Sequence, residues 1–458
     1  MEALLSMQDA PSLKEDKMLD KGLELLLELS QKDPTLEFYL SLTTGRSLEL
    51  RDGKPFLSEE YQDLALTIRA LANGFDNKKE LSGKAGLSLT LSLDKEALEQ
   101  AISRAKALAK YGKEVVFPEL SLSYPEVNIP SLKPLSQEEM LDLLEKARVA
   151  LKDFPKITRI ERESFSYEEE EVLLLRNGRV LRFKAPSYSY FVSVVSENGR
   201  SAQGYAYNST RELESLDGKG LFRKACEMAS ALAQAKKGKS IKCAVLFPPE
   251  NAIILLELLS FSFLGDEVVK GRSRLKYKLG DKVFHQAITI VDDGLAGALP
   301  EGRPFDDEGV PQERAILVER GEVKSYLLDI KSAKELGLSS NGKARRPSMG
   351  QSPKPSPTNL YLEKGSLNRE ELLQAEDYVF EVYEVLGSHT ADPVSGEFSF
   401  GVSGVLYHKG EKAEFLSEMA LTGNVFEILS RDVLLGKDLT FYESLGSPSI
   451  LIPRMVLG

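Results

Sequence analysis

The strongest constraint on the fold is a pair of matching hairpin signals in the first half of the chain. One is LELRDG at residues 48–53, and the other is LLLRNG at residues 173–178. Asp-Gly and Asn-Gly favour two-residue hairpin turns because both central positions can adopt positive φ. A leucine-rich segment with helical spacing precedes each signal, at residues 18–29 and 136–151. The first half is therefore predicted to contain one structural unit twice.

Further strands and a closing helix follow the turn in each copy. The strand-like runs are residues 64–70, 86–93, 188–195 and 203–207, and the alanine-rich amphipathic helices are residues 97–108 and 221–232. A segment with several prolines, residues 118–134, connects the copies. This order predicts an N-terminal α+β domain over residues 1–238, built from two helix–antiparallel-strands–helix units at about 1–117 and 135–238.

Residues 239–458 differ from the first half, because short strands punctuated by glycine dominate. The predicted strands are residues 243–247, 287–291, 315–318, 323–328, 378–386, 399–407 and 449–452. Helices are predicted within residues 252–265 and 424–434. The segment RRPSMGQSPKPSP, residues 345–357, contains four prolines and predicts an extended or mobile loop. We expect a β-rich C-terminal domain in a chain that is α+β overall.

Composition excludes several classes of protein. The chain of 458 residues has 70 acidic against 59 basic side chains and a net charge of −11, which argues against a nucleic-acid scaffold. The longest apolar segment, residues 252–265, has 14 residues including Glu257, and is too short to span a bilayer. Residues 1–17 lack the apolar core of a signal peptide. We expect a cytoplasmic protein that contacts neither nucleic acid nor a membrane.

Cysteines and histidines are too few and too scattered for an obvious metal centre. The two cysteines, Cys226 and Cys243, lie in apolar patterns and are predicted to be core thiols. The three histidines, His285, His389 and His408, have no short spacing typical of metal ligands.

An ordered set of short motifs in the second half resembles the TldD/PmbA family, the "modulator of DNA gyrase" group of bacterial and archaeal peptidases. The matching runs are LGDKVFHQAITIVDD (279–293), PFDDEG (304–309), SNG (340–342), SGEFS (395–399), TGN (422–424) and the C-terminal residues 448–458. The duplicated first half is similar to the N-terminal domain of that family.

The resemblance implies a specific sub-type, because the zinc ligands of the family are missing. TldD-like members carry H-E-x-x-x-H on the helix that opens the C-terminal domain, and a cysteine near the C-terminus, and these residues bind zinc. The corresponding window here is LELLSF, residues 256–261, where Leu256 and Phe261 replace the histidines and Glu257 remains. Residues 434–453 contain no cysteine. The chain thus resembles the PmbA (TldE) type, which implies no bound metal and no cofactor.

Membership of that type implies a non-catalytic subunit that pairs with a TldD-like zinc chain in a cytosolic protease acting on unfolded peptides. We expect Leu256, Glu257, Ser260 and Phe261, with the loop 345–357, to line a peptide cavity in which an extended peptide adds to a strand edge. Glu257 would be a relic of the catalytic base, because without a metal-activated water a base at this position has nothing to deprotonate.

Two alternatives stay open. The chain could act as a homodimeric peptide-binding protein without proteolysis, or as a stand-alone hydrolase with a metal held by carboxylates such as Asp306 and Asp307. Against the second alternative, adjacent carboxylates rarely all point at one ion. We interpret Asp306-Asp307-Glu308 as a polar loop in which Asp caps the next turn and Gly309 supplies positive φ. The basic runs 272–278 and 343–346 are interpreted as solvated surface or partner contacts.

Overall fold

The computed structural model describes residues 13–76 and 80–458. Most of the N-terminal segment 1–17, for which no signal peptide is expected, lies outside the described residues. In the two described ranges no helix combines the length and the apolar character that crossing a bilayer requires.

The first half forms one seven-stranded antiparallel sheet with helices packed against it. Its elements are α1 (Leu13–Lys32), β1 (Leu36–Arg51), β2 (Lys54–Asp76), β3 (Glu80–Thr90), α2 (Lys95–Ala109), β4 (Lys113–Pro118), α3 (Gln137–Ala147), β5 (Ile157–Arg176), β6 (Arg179–Asn198), β7 (Arg200–Thr210) and α4 (Gly218–Gln234). The strand order is β4-β3-β2-β1-β5-β6-β7, so β1 and β5 join the two predicted copies edge to edge.

Both hairpin signals form the turns that the sequence predicts. Asp52 and Gly53 have φ of +47° and +71°, and Asn177 and Gly178 have φ of +48° and +71°. The helix α3 begins at a capping box in which Ser136 accepts from the Glu139 backbone and the Glu139 side chain accepts from the Ser136 backbone.

The second half contains two larger sheets and a small two-stranded one. Its elements are β8 (Lys236–Lys237), β9 (Ile241–Phe247), α5 (Pro249–Ser260), α6 (Gly265–Val269), β10 (Ile290–Asp293), β11 (Arg314–Glu319), β12 (Glu322–Val323), α7 (Ile330–Leu336), β13 (Ala344–Arg345), β14 (Lys354–Pro355), β15 (Leu360–Leu362), α8 (Arg369–Gln374), β16 (Tyr378–Leu386), β17 (Glu397–His408), β18 (Glu411–Asn424), α9 (Val425–Leu429), β19 (Leu434–Leu435), β20 (Thr440–Tyr442), β21 (Leu445–Ser447) and β22 (Ile450–Leu457).

One of these sheets closes on itself. The strand β22 pairs with β9 and also with β18, so that β9, β16, β17, β18 and β22 form a closed ring. The other sheet has the order β12-β11-β10-β15-β21-β20. The helix α5 contacts strands of both sheets, β9 and β16 on one side and β20 and β21 on the other. The α+β class is confirmed, while the division of the chain at residue 238 stays a prediction.

Three predicted elements of the second half are wrong in extent. Of the strand predicted at 287–291, only Ile290 and Val291 lie in a strand, β10. The helix predicted at 424–434 ends at Leu429, because the chain then turns so that Leu434 and Leu435 pair with β22. The strand predicted at 323–328 ends at Val323. Beyond it, the Leu327 and Leu328 backbone N–H groups donate to the Phe263 carbonyl and the Asn341 side chain, at 2.8 and 2.9 Å, instead of to a neighbouring strand.

A glycine at equivalent places in the two copies lets a helix lie directly on a strand. A Cβ on Gly86 of β3 would lie 1.9 Å from the Ala105 carbonyl oxygen of α2, and one on Gly204 of β7 would lie 2.2 Å from the Ala225 carbonyl oxygen of α4. Real Cβ atoms do not approach backbone so closely, so each contact requires glycine. The same glycine contact in both copies supports the prediction that one structural unit occurs twice in the first half.

We predict that Gly204→Ala lowers the free energy of unfolding by about 1–3 kcal/mol, because the added methyl group forces α4 away from β7. Denaturant titration measures the effect. The matched control is Gly218→Ala at the start of α4, where the nearest atom to a new Cβ is 3.5 Å away. Equal stability of the two variants would contradict the close-approach argument.

Candidate functional site

A cleft of about 870 Å³ lies between the seven-stranded sheet and the second half of the chain, within the size range of ligand sites. Both halves line it. The polar and charged lining residues include Tyr39, Ser41, Glu168, Glu170, Tyr207, Thr210, Arg211, Glu257, Ser260, Glu301, Arg303, Asp307, Arg345, Arg346, Tyr442 and Glu443. We refer to it below as the cleft.

The helix α5 presents one stripe to the cleft. Ile253, Glu257 and Ser260 line it, at the i, i+4, i+7 spacing of a single helix face. Leu256, which the sequence analysis also placed in the lining, does not line the cleft and is buried in the core of the second half. Phe261 follows the end of α5 in a 3₁₀ turn, does not line the cleft, and lies beside the Arg272 guanidinium.

The proline-rich loop 345–357 contributes Arg345, Arg346, Ser348, Met349, Ser356 and Pro357 to the lining. The loop is not extended along its length, as the sequence analysis offered, because it folds back on itself through turns and bends at residues 347–351. Its two ends pair as β13 and β14, and the Gly350 N–H donates to the Thr67 hydroxyl of β2 at 2.8 Å.

One buried carboxylate holds this loop to the seven-stranded sheet. Glu37 of β1 lies directly opposite Arg69 of β2 and Arg176 of β5 in the sheet register. It accepts from Arg69 Nε at 2.6 Å, from Arg176 Nε at 3.0 Å and from Arg346 Nη2 at 3.1 Å. Burial alone would raise the pKa of Glu37, but the three guanidinium groups hold that pKa far below its usual range.

The basic run 343–346 is therefore not solvated surface, and that prediction is wrong. The Lys343 side chain is fully buried and pairs with Asp292 at 2.7 Å. The Arg346 side chain is 3% exposed and lies over the Tyr39 ring at 4.5 Å from its centroid. The run is basic because it contacts buried carboxylates of the first half and of neighbouring loops. Charge counted along the sequence does not reveal these contacts.

The loop 306–308 is a capped turn, as the sequence predicts, and its carboxylates have protein partners. The Asp306 carboxylate accepts from the backbone N–H groups of Glu308, Val310 and Ala344, at 2.9, 2.9 and 3.0 Å. Asp307 accepts from the Tyr39 hydroxyl at 2.9 Å and pairs with Arg303 at 2.9 Å. Gly309 follows with φ of +81°.

The donor set does not fit the zinc site of TldD-like chains. Cys226 and Cys243 are buried in different hydrophobic clusters, and burial raises their pKa values to about 12 and about 11. His285 lies 3.2 Å from Asp432, and His408 stacks on Tyr378. Throughout the part of the chain that the structure describes, no three or more His, Cys, Asp or Glu side chains are grouped so that they could hold a metal ion.

Sequence reasoning missed most of the charged residues that build the cleft. Glu37, Arg69, Arg176, Arg211 and Arg303 are at most 6% exposed. The only local signal is a charged residue inside an apolar strand, such as Glu37 between Leu36 and Phe38. Their partners lie up to 309 positions away along the chain, so the sequence could not pair them.

We predict that Glu37→Gln lowers the free energy of unfolding by about 3–5 kcal/mol, because it leaves three buried guanidinium groups without their common counter-charge. Denaturant titration at neutral pH provides the measurement. Glu114→Gln, at an exposed position of β4, is the control and should change stability by less than about 0.5 kcal/mol. If the two variants were equally stable, the network would not hold the halves together.

A second prediction concerns pH. Burial and the neighbouring Asp306 and Asp329 carboxylates raise the pKa of Glu308 to about 8. The folded state thus binds this proton more tightly than the unfolded state, so the stabilisation is complete below about pH 4 and is lost as the pH rises through about 8. Glu308→Gln should lose less stability than the unmodified chain between pH 5 and pH 9, measured by thermal unfolding.

The control for this experiment is Glu411→Gln, at an exposed position at the start of β18. It should keep the pH dependence of the unmodified chain. A Glu308→Gln variant with that same pH dependence would contradict the assigned role of Glu308.

Comparison with known proteins places the chain in a family. Residues 240–458 match the model of the PmbA/TldA metallopeptidase C-terminal domain, and residues 130–233 match that of the central domain. The metalloprotease PmbA of Escherichia coli O157:H7 is 26% identical over 96% of both chains. A metalloprotease of Archaeoglobus fulgidus is 30% identical over 67% of this chain and 72% of its own length. An uncharacterised Methanocaldococcus jannaschii protein is 32% identical over 237 residues. That match covers 50% of this chain and about half, 55%, of the relative.

Solved structures show the same fold. A Thermotoga maritima protein described as a modulator of a DNA gyrase superposes with a TM-score of 0.83 at 25% identity, over 96% of this chain and all of that one. TldE from Thermococcus kodakarensis superposes with a TM-score of 0.78 at 21% identity, over 95% of this chain and all of that one. The chain belongs to the PmbA/TldD metallopeptidase family.

Proposed function

We propose that this chain is the metal-free subunit of a two-chain, cytosolic TldD/TldE-type protease. It holds an unfolded peptide in the cleft, and a TldD-like partner chain supplies the zinc and the catalytic base. The observation that carries the proposal is the composition of α5. The helix directs Ile253, Glu257 and Ser260 at the cleft and contains no histidine. Without a bound metal to lower the pKa of an attacking water, a lone carboxylate such as Glu257 is a much weaker catalyst of peptide hydrolysis.

The borders of the cleft support an extended peptide as the ligand. The strand β7 is outermost in the seven-stranded sheet, and β20 is outermost in the β12-to-β20 sheet. Tyr207 of β7 and Tyr442 of β20 both line the cleft. An outermost strand can bind peptides of many sequences by strand addition. At the end of β20, the Asn208 side chain of β7 already donates to the Phe441 carbonyl at 3.0 Å and accepts from the Glu443 N–H at 3.2 Å, so β7 is the strand that we propose for this role.

The contacts of the 306–308 loop argue against the alternative of a stand-alone hydrolase. A metal on Asp306 would have to displace three backbone N–H donors, and one on Asp307 would have to displace Arg303 and Tyr39. Both carboxylates are buried, so the lost hydrogen bonds would not be replaced by water.

The proposal predicts that the isolated chain binds an unstructured peptide and does not cleave it, even with added zinc. Addition of a TldD-like chain carrying H-E-x-x-x-H should give cleavage that a chelator abolishes. Fluorescence release from a quenched peptide measures cleavage, and elemental analysis measures zinc. The control is the same mixture with the glutamate of the partner's motif replaced by glutamine, which should be inactive.

A variant of this chain tests the cleft itself. Ser260→Trp should weaken peptide binding and cleavage by the mixture, because the indole fills part of the cleft, while Ser103→Trp on the exposed face of α2 should not. Stoichiometric zinc with chelator-sensitive cleavage by the isolated chain would contradict the proposal. Peptide binding by an isolated dimer that no TldD-like chain activates would favour the homodimer instead.

A further inference from the structure

Four arginines gather on one side of the cleft, around the loop 297–307. Arg211 donates to the carbonyl oxygens of Gly297, Pro300 and Gly302 at 2.9, 2.5 and 2.5 Å. Arg345 donates to the Glu301 carboxylate at 3.1 Å and to its carbonyl at 3.3 Å.

The other two arginines meet at Asp307 in the same loop. Arg303 pairs with the Asp307 carboxylate at 2.9 Å. Arg346 donates its backbone N–H to Asp307 at 2.6 Å. All four side chains line the cleft at this end, together with the carboxylates of Glu301 and Asp307 that two of them contact.

Arg303, Arg345 and Arg346 pair with the carboxylates of Asp307, Glu301 and Glu37, whereas the hydrogen bonds of Arg211 go to backbone carbonyls. Arg211 is 3% exposed, and its hydrogen-bond partners are backbone carbonyls, which carry no net charge. Burial and the neighbouring Arg303 and Arg345 lower the pKa of Arg211 to about 10. Within the described ranges, Nε of Arg303 and Nε of Arg346 are buried without a hydrogen-bond partner. Buried donors and charges of this kind are stabilised by an anionic ligand.

Carboxylates away from the four arginines also line the cleft, and they limit the anions that it can accept. Glu257 of α5 and Glu443 after β20 both line the cleft. Burial, and then the carboxylates of Glu443 and Glu257, raise the pKa of Tyr207. A ligand that is anionic along its whole length would be repelled by these carboxylates. A ligand with negative charge at one end only fits both groups of residues.

We propose that the four arginines bind the free C-terminal carboxylate of the peptide, an assignment that rests on the proposed function and names its substrate class. The planar guanidinium group presents two parallel N–H donors that match the two oxygens of a carboxylate. The rest of the peptide extends past Tyr207 and Tyr442 along the edge of β7. The chain therefore selects unfolded peptides by their carboxyl terminus and accepts many internal sequences.

The test compares three versions of one short, unstructured, otherwise uncharged peptide that carries a neutral dye at its N-terminus. The first has a free C-terminal carboxylate, the second is amidated, and the third is amidated with aspartate as its penultimate residue. Fluorescence anisotropy with the purified full chain gives each Kd. We expect amidation to weaken binding by about ten- to a hundredfold, the strength of hydrogen bonds to a charged group, and aspartate to restore little of it.

Two protein variants provide a second arm. Arg345→Gln should weaken binding of the free acid and reduce its advantage over the amide, whereas Arg345→Lys should retain part of the advantage through its charge. The control is Arg431→Gln, at an exposed position far along the chain that pairs only with Glu427, and it should keep the full advantage. Thermal unfolding establishes that each variant is folded, and the peptide comparison needs no variant.

Equal affinity for the acid and the amide would overturn the carboxylate assignment and leave peptide binding intact. Full restoration by aspartate would also overturn it, because the site would then recognise any carboxylate. Failure of all three peptides to bind would overturn the proposed function itself, so the two failures are distinguishable.

Discussion

A single buried carboxylate, that of Glu37, holds together the parts of the molecule that form the cleft. It is fully buried and is shared by Arg69, Arg176 and Arg346. The first two arginines lie on the strands that flank β1, one from each copy of the repeated unit, and the third lies on the loop of the second half. Arg176 also donates to the Glu308 carbonyl at 2.9 Å. Without this counter-charge, the burial of three guanidinium groups would strongly destabilise the folded state. The cleft therefore depends on the contact between the two halves of the chain.

Local signals in the sequence predicted the features that depend on a few adjacent residues. The Asp52-Gly53 and Asn177-Gly178 turns and the Ser136 capping box require only the residues that form them. The pairing of β1 with β5 and the closed ring through β22 were not predictable, because they join segments more than a hundred positions apart along the chain. The helix at 424–434 was overestimated because the pairing of Leu434 with Leu451 of β22 overrides the helical pattern.

In the candidate site too, local sequence patterns predicted some features, and others depend on residues far apart along the chain. Helical spacing accounts for Glu257 and Ser260 lining the cleft together, but Leu256 and Phe261 belong to the core and to the turn after α5. The loop 345–357 was also expected in the lining, while the reason for its arginines became visible only with their partners in place. The cleft therefore combines one face of α5, residues of two outermost strands and four arginines, three of which pair with carboxylates.

The most direct test of this account is to locate a bound peptide by photo-crosslinking. An unstructured peptide with a benzophenone side chain reacts preferentially with nearby methionine, and Met349 lies in the cleft. After irradiation with the purified chain, mass spectrometry of the digested protein identifies the modified residues. The account predicts adducts on Met349 and on neighbouring residues of the loop 345–357, reduced by excess unlabelled peptide. Competable adducts confined to surfaces outside the cleft would contradict it.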